Sequence, residues 1–262
     1  MFLDQQNLAE LVAWRRNLHR NPELSGEEKE TARTVQNFLS TTGADIITGV
    51  GGHGILAIYQ GEAPGPTIML RAELDGLPIQ EASLISHRSV VPGKAHLCGH
   101  DGHMTILAGV ARGLGRKRPR RGRAVLLFQP AEEDGTGAAA VIADRKFQQV
   151  QPDFVFSLHN LPGVPLGKVA ISEGLVNCAS RGMRIALSGR TAHASNPELG
   201  VSPQQAVVRL LSEVTTLGSS NPSPIIHDCF IRAATSKRSR LSVLIARPGG
   251  LPLSEEDRAR RR

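Results

Sequence analysis

Two short apolar runs, residues 124–129 and 154–158, constrain this chain more than any other feature. Each is strand-length rather than helix-length and mostly apolar, the first without a break from Ala124 to Phe128, so each reads as a buried strand. Each is also followed by a residue able to bind a metal: Glu132-Glu133 after the first, His159 after the second. Helical stretches lie between them, which argues an α/β sheet with helices on its faces. Sites in open sheets of this kind form beyond the carboxyl ends of the strands.

A third group sits just before a helical stretch. Cys98-Gly99-His100-Asp101-Gly102-His103 packs a thiol, two imidazoles and a carboxylate between glycines that let the backbone turn tightly. Cys and His suit borderline-soft ions such as zinc. Asp75 follows a further strand-like run at 67–70 and completes the set of strand-end acids. Adjacent Glu132 and Glu133 can divide their labour: one binds metal, while the other takes a proton from water activated there. Singly, each residue has a plainer reading. Cys98 reads as a small buried hydrophobe, the Glu pair as a solvated helix start, and His159 as a satisfied strand-end histidine. His103 reads as packing or capping within its helix, and His19 as structural. His53, His87 and His96 carry no spacing signal. Jointly, the plain readings require every strand-end cluster to be coincidence.

Bulk properties narrow the class. The 262 residues, 40% apolar, suffice for one large domain or for one domain and part of another. No apolar run is long enough to span a bilayer, and the polar start after Met1-Phe2-Leu3 does not read as a signal peptide. Three scattered cysteines, Cys98, Cys178 and Cys229, argue against a disulfide framework. The expected location is cytoplasmic. A net charge of +7 raises nucleic-acid binding as a rival. The excess is concentrated in 116–123 and 258–262, and aromatics make up only 3%. A solvated basic loop without stacking residues is therefore the expected reading, with no nucleic acid and no membrane as partner.

Along the chain, Leu8, Leu11, Val12 and Leu18 recur at helical spacing up to Pro22. Ser25 and Glu28 read as a capping box for a second helix that turns Ala32, Val35, Phe38 and Leu39 inward. Runs at 54–59 and 67–70 read as strands joined by the turn at 61–66, a candidate hairpin. Residues 102–114 and 137–143 read as helices, and 168–171 as a further strand. The character changes near Gly174. A half-exposed strand at 183–188, a loop at 189–203 and a helix through Ala206, Val207, Leu210, Leu211 and Val214 open a smaller domain. Past Asn221, Ile225-Ile226 and 241–245 are candidate strands, but the Arg-rich tail offers no closing element. The expected division is a catalytic domain over 1–174 and a partial lid over 175–262.

The motifs together resemble the amidohydrolase branch of the co-catalytic zinc metallopeptidases, the group of hippurate hydrolase, N-acyl-amino-acid amidohydrolases and plant auxin-conjugate hydrolases. They are Leu18-His19-Arg20-Asn21-Pro22-Glu23-Leu24, Leu70-Arg71-Ala72-Glu73-Leu74-Asp75-Gly76-Leu77-Pro78, His96-Leu97 with the Cys98–His103 cluster, Phe128-Gln129-Pro130-Ala131-Glu132-Glu133, Ser157-Leu158-His159-Asn160-Leu161-Pro162, and Gly189-Arg190-Thr191-Ala192-His193-Ala194. The resemblance implies a mixed sheet with helices on both faces plus an α+β lid and dimerisation domain. It implies two divalent ions, zinc or manganese, held by Cys98, His100, Glu133 and His159. It implies Glu132 as general base, Asp75 as an orienting carboxylate, and His193 as a lid histidine that holds the scissile carbonyl oxygen, often across a homodimer interface. The implied substrate is a small N-acyl amino acid, hippurate-like or a related conjugate.

Two departures stand out. Glu73 occupies a position where the family commonly has Asp, which is expected to be tolerated. The family also continues past this length to a final His ligand, whereas His227, the last histidine here, falls in the lid region. The segment from about Cys229 onward is not expected to form lid strands. These features point to a truncated or frame-shifted product. They keep open a rival reading: an inactive fragment that binds metal or an intact subunit.

Overall fold

The computed structural model describes residues 3–171, 179–216, 229–234 and 240–249. The chain divides into two compact units, Met1–Gly163 and Val164–Arg262.

The first unit opens with helix α1 (Gln5–Arg20), whose first turn is capped by Asp4 Oδ1 accepting from Asn7 N at 2.8 Å. It continues with α2 (Lys29–Ser40), β1 (Asp45–Val50), β2 (Gly54–Gln60), β3 (Thr67–Glu73) and α3 (His100–Arg116). Strand β4 (Arg123–Gln129), α4 (Gly137–Ala143), α5 (Arg145–Gln148) and β5 (Phe154–Ser157) complete it. The strands form one mixed sheet in the order β1-β2-β4-β3-β5. Strand β4 is antiparallel to β2 and parallel to β3, and β5 is parallel to β3.

The alternation along β4 explains its unbroken apolar run. Ala124, Leu126 and Phe128 enter one core with Leu18 of α1, Val35 and Leu39 of α2, and Met104, Leu107 and Ala111 of α3. Val125 and Leu127 enter the opposite core, with Val141 of α4. Helices therefore cover both faces, as the sequence predicts, and a central strand has no solvent side on which to place polar residues.

Several expectations are corrected. The runs at 54–59 and 67–70 are not a hairpin, because β4 lies between them. The connecting turn is instead held to the loop before β4, with Gly61 N donating to Gly122 O at 2.8 Å and Gly122 N to Ala63 O at 2.8 Å. That pairing splays β2 from β3 and admits β4. The hairpin partner of β2 is β1, which the polar Asp45 and Thr48 conceal in the sequence.

The capping box is also wrong. Ser25 Oγ donates to Asp75 Oδ2 at 2.7 Å, and buried Glu28 accepts from Ala131 N at 2.6 Å. The start of α2 is capped by Glu23, which accepts from Thr31 N at 2.7 Å and Glu30 N at 3.2 Å. Leu8 and Val12 of α1 are exposed, while Leu11 and Leu18 are buried. Strand β5 is exposed rather than buried and ends at Ser157, because it is the last strand of its sheet and pairs only with β3 among the described residues. Residues 168–171 form no strand.

The second unit contains β6 (Ala179–Ser188), a short 3₁₀ turn at Pro197–Leu199, α6 (Gln204–Thr216), β7 (Cys229–Ala234) and β8 (Arg240–Gly249). Its strands form an antiparallel sheet in the order β6-β8-β7. The β6–β8 register runs unbroken from Ala179↔Gly249 to Ser188↔Arg240. The candidate strand at 241–245 lies within β8, while β7, which begins at Cys229, was not expected as a strand. Leu241, Val243, Leu244 and Ile245 supply β-formers among the Arg and Ser residues that mask them. In α6, Val207 is buried and Leu210 and Leu211 are half-buried. Ile225, Ile226 and His227 lie outside the described residues.

Candidate metal centre

Strands β3, β4 and β5 are mutually parallel, so their carboxyl ends share one edge of the sheet. Asp75, Glu132-Glu133 and His159 all leave from that edge. Leu74 N donates to Gln129 O at 2.9 Å, which holds the first two exits side by side. Helix α3 begins at the same edge. Its N-cap, Gly99, has φ 96°, and a Cβ there would lie 2.2 Å from Asn160 Oδ1, so only glycine lets Cys98 and His100 flank this turn. Ala131, at φ 50°, turns the chain after β4 towards the Glu pair, and its amide is held by Glu28.

The donor atoms converge. One ligand atom each from Cys98, His100 and His159 lie within 4.8 Å of one another, and the same holds for His100, Glu132 and Glu133. Cys98 Sγ is 3.2 Å from His159 Nε2. His100 Nε2 is 3.7 Å from Glu133 Oε1 and 3.8 Å from Glu132 Oε2. Each of the two histidines has its other nitrogen on a carbonyl. His100 Nδ1 is 2.8 Å from Asp75 O, and His159 Nδ1 is 2.7 Å from Asn160 O. A carbonyl only accepts, so each Nδ1 carries a proton and Nε2 is the ring atom turned towards the cluster, able to bind a metal when it gives up its own proton.

The residues present fit a divalent cation. His100 Nε2 and Glu133 Oε1 are buried without a hydrogen-bond partner. Such orphaned atoms are costly unless something else satisfies them. A mixed sulfur, nitrogen and oxygen donor set is what borderline ions take.

The electrostatics point the same way. Burial opposes charge on His100, yet its contacts with Asp75 and Cys98, with Glu73 nearby, push its pKa up to about 11. The surroundings of this imidazole therefore favour a cation. Burial raises the Glu133 carboxyl, with His100 pulling against it and Glu132 adding to it. Burial also works against ionised Asp75, but the hydrogen bonds from His100, the Glu133 amide and Ser25 together hold it below its ordinary value. Asp75 Oδ2 accepts from Glu133 N at 2.9 Å, so this carboxylate touches both the His100 ring and the Glu133 backbone. Burial lowers His96 to about 4.

Six of the sequence-selected residues meet at this edge: Cys98, His100, Glu132, Glu133, His159 and Asp75. The seventh, His193, belongs to the second unit. There it is exposed, with Nδ1 2.7 Å from Ser195 Oγ.

Sequence reasoning missed a chain of polar side chains beside the cluster, with Glu73 and His103 buried at its centre. Arg71 Nη1 donates to Glu73 Oε1 at 2.6 Å, Glu73 Oε2 is 2.8 Å from His103 Nδ1, and His103 Nε2 is 2.7 Å from Asn160 Oδ1. Burial pushes Glu73 up, but His103 and Arg71 bring it below its ordinary value. His103 is thus neither a cap nor a simple packing residue. The signal was available: three helix positions separate His100 and His103, so both lie on the face towards β3.

Residues 69–249 match the Peptidase family M20/M25/M40. The chain belongs to this family. It is 36% identical over 216 residues to an IAA-amino acid hydrolase ILR1-like 5 of Arabidopsis thaliana, covering 82% of this chain and 49% of that protein. It is 37% identical over 217 residues to an N-acetyl-L-cysteine deacetylase of Bacillus subtilis, covering 82% and 52%. Among solved structures, it resembles the Bacillus subtilis YXEP protein, described as a dinuclear metal binding peptidase of the M20 family. The TM-score is 0.67 at 26% identity, over 98% of this chain and 67% of that one. The chain spans about half the length of the curated relatives it matches.

Proposed function

We propose that this chain carries metal-dependent amidohydrolase chemistry, cleaving the amide bond of N-acyl amino acids, hippurate-like or related conjugates. The observation that carries the reading is the position of Glu132. Its carboxylate is more than a third exposed and lies 3.8 Å from His100 Nε2, beside the orphaned atoms of His100 and Glu133. Cys98, His100, Glu133 and His159 would hold the metal, as one or two ions of zinc or manganese. A bound divalent ion supplies a Lewis acid that polarises the amide carbonyl and eases loss of a proton from water. Glu132 takes that proton and returns it to the leaving amine. Asp75 fixes the His100 ring and the Glu133 backbone. His193 contacts the scissile carbonyl oxygen, and the second unit serves as lid and pairs two copies of the chain. The catalytic part corresponds to residues 1–174, and the setting is cytoplasmic. Among the described residues no helix is long and apolar enough to cross a membrane.

The test is reconstitution of metal-stripped protein with zinc or manganese, followed by metal analysis and turnover of a panel of N-acyl amino acids. Metal-dependent release of free amino acid is the expected result. Stoichiometric metal without turnover would favour the rival reading, a chain that binds metal but does not complete the reaction alone. No metal above background would overturn both.

A further inference from the structure

Given the metal-centre reading above, we infer that His19 is a positioning residue: it ties the segment that delivers Cys98 to the helix that delivers His100. His19 lies in the last turn of α1 and is buried. Its two ring nitrogens face carboxylates from different parts of the chain. Nδ1 is 3.0 Å from Asp101 Oδ2, and Nε2 is 3.3 Å from Glu81 Oε1.

Asp101 follows His100 in the first turn of α3 and is fully buried. Its Oδ2 also accepts from Arg15 Nε at 2.9 Å, so α1 grips this turn through two side chains. Glu81 sits in the stretch between β3 and α3, which has no helix or strand of its own. Within that stretch Glu81 accepts from Ser89 N at 2.7 Å and from Ser83 Oγ at 2.5 Å, and Leu77 pairs with Ala95. Glu81 therefore gathers the loop on itself, and His19 fastens the gathered loop to α3. Cys98 closes the loop and His100 opens the helix, with only Gly99 between them. A loop of this length has many conformations unless tied down. Placing a thiolate and an imidazole within reach of one ion requires this loop and this helix to keep a fixed register, and groups behind ligands commonly set that register.

Cobalt(II) is a suitable probe, because a thiolate ligand adds a charge-transfer band to its visible spectrum. Metal-stripped full chain is titrated with cobalt for the unaltered protein and for His19→Ala, Glu81→Gln and Cys98→Ala, with far-UV circular dichroism of each. Cys98→Ala should lose the charge-transfer band. His19→Ala should bind cobalt about 10–100-fold more weakly and show a reduced charge-transfer band while keeping its secondary structure. Glu81→Gln, which preserves shape and weakens only the loop end of the bridge, should show a smaller loss in the same direction. If His19→Ala does not fold, Glu81→Gln decides: weaker binding with a reduced band supports the bridge, and unaltered affinity with an unaltered band overturns it. Equal binding and equal spectra for the unaltered protein and both bridge variants would overturn the role of His19 and leave the metal centre standing. No cobalt uptake by the unaltered protein would remove the metal centre and this role together.

Discussion

Glu132 and Glu133 are adjacent in sequence yet meet different surroundings. The backbone amide of Glu133 is pinned by Asp75, and its side chain is mostly covered, with one oxygen lacking any partner. Glu132 is the more exposed of the two, and no hydrogen bond within the chain restrains its carboxylate among the described contacts. A ligand needs a fixed position, and a proton carrier needs access to water and substrate. The two residues are therefore expected to fail differently. Glu132→Gln should cut hydrolysis by about 10²–10⁴-fold with metal content unchanged, whereas Glu133→Ala should lose metal. Metal analysis beside steady-state rates separates them, and a Glu132→Gln protein that lost its metal would reverse the assignment.

The turns that bring these residues together are built from close backbone approaches. A Cβ at Gly137 would lie 1.7 Å from Pro130 O and 2.8 Å from Ala131 O, both backbone atoms that cannot swing aside. Gly137→Ala should therefore destabilise the first unit by about 1–3 kcal/mol and weaken metal binding through the displaced 130–133 turn. Equilibrium unfolding and metal titration of the same variant check both. Across the sheet, Asp144 joins α5 to the β1–β2 turn: it accepts from Gly51 N at 2.8 Å and Lys146 N at 2.8 Å. Those two bonds, Gly51 first, lower its pKa. A lowered folded value means stability that is complete above the ordinary value of about 3.9 and lost as pH falls through the folded value. The stability gap between the unaltered protein and Asp144→Ala should thus be widest near neutral pH and close on acidification. A constant gap would assign Asp144 no ionisation-linked role. At this scale it becomes clear why some of the chain was legible and some was not. Central β4 is apolar on both faces, so its sequence declares it, as do the motif residues at the strand ends. Strand β1, with Asp45 and Thr48, lacks that signal. The Ser25/Glu28 pair carried the local signature of a cap, but tertiary partners, Asp75 and Ala131, claimed both side chains. The β2–β3 hairpin failed because its turn is satisfied by the loop before β4, where Gly61 and Ala63 pair with Gly122, a partner far along the chain that no local signal announces.

On the scale of the whole molecule, basic charge and exposed apolar strand surface pull in opposite directions. The net charge of +7 disfavours self-association. Part of that charge is committed locally: Arg118 donates to Gly43 O and lies 5.1 Å from the Tyr59 ring, Arg121 donates to Pro64 O, and Arg123 donates to Thr67 Oγ1 and Val150 O. Arg121 and Arg123 fasten the turns around β3 and β4. Against the charge stands β5, where Phe154, Val155 and Phe156 are each 57% exposed and β3 is the only paired neighbour among the described residues. An exposed apolar edge strand is a template for pairing with another chain. Salt screens the repulsion, with a Debye length of about 8 Å at physiological ionic strength, but leaves burial of apolar surface intact. Association of the isolated chain should therefore grow with ionic strength as well as with protein concentration. Val155→Lys, which places a charge on the edge, should suppress it without altering the unfolding midpoint by more than a surface substitution normally does. Sedimentation velocity at low and high salt on both proteins reads this directly. Association that weakens with salt would make charge pairing the driving force, and association unchanged in Val155→Lys would locate the contact away from β5.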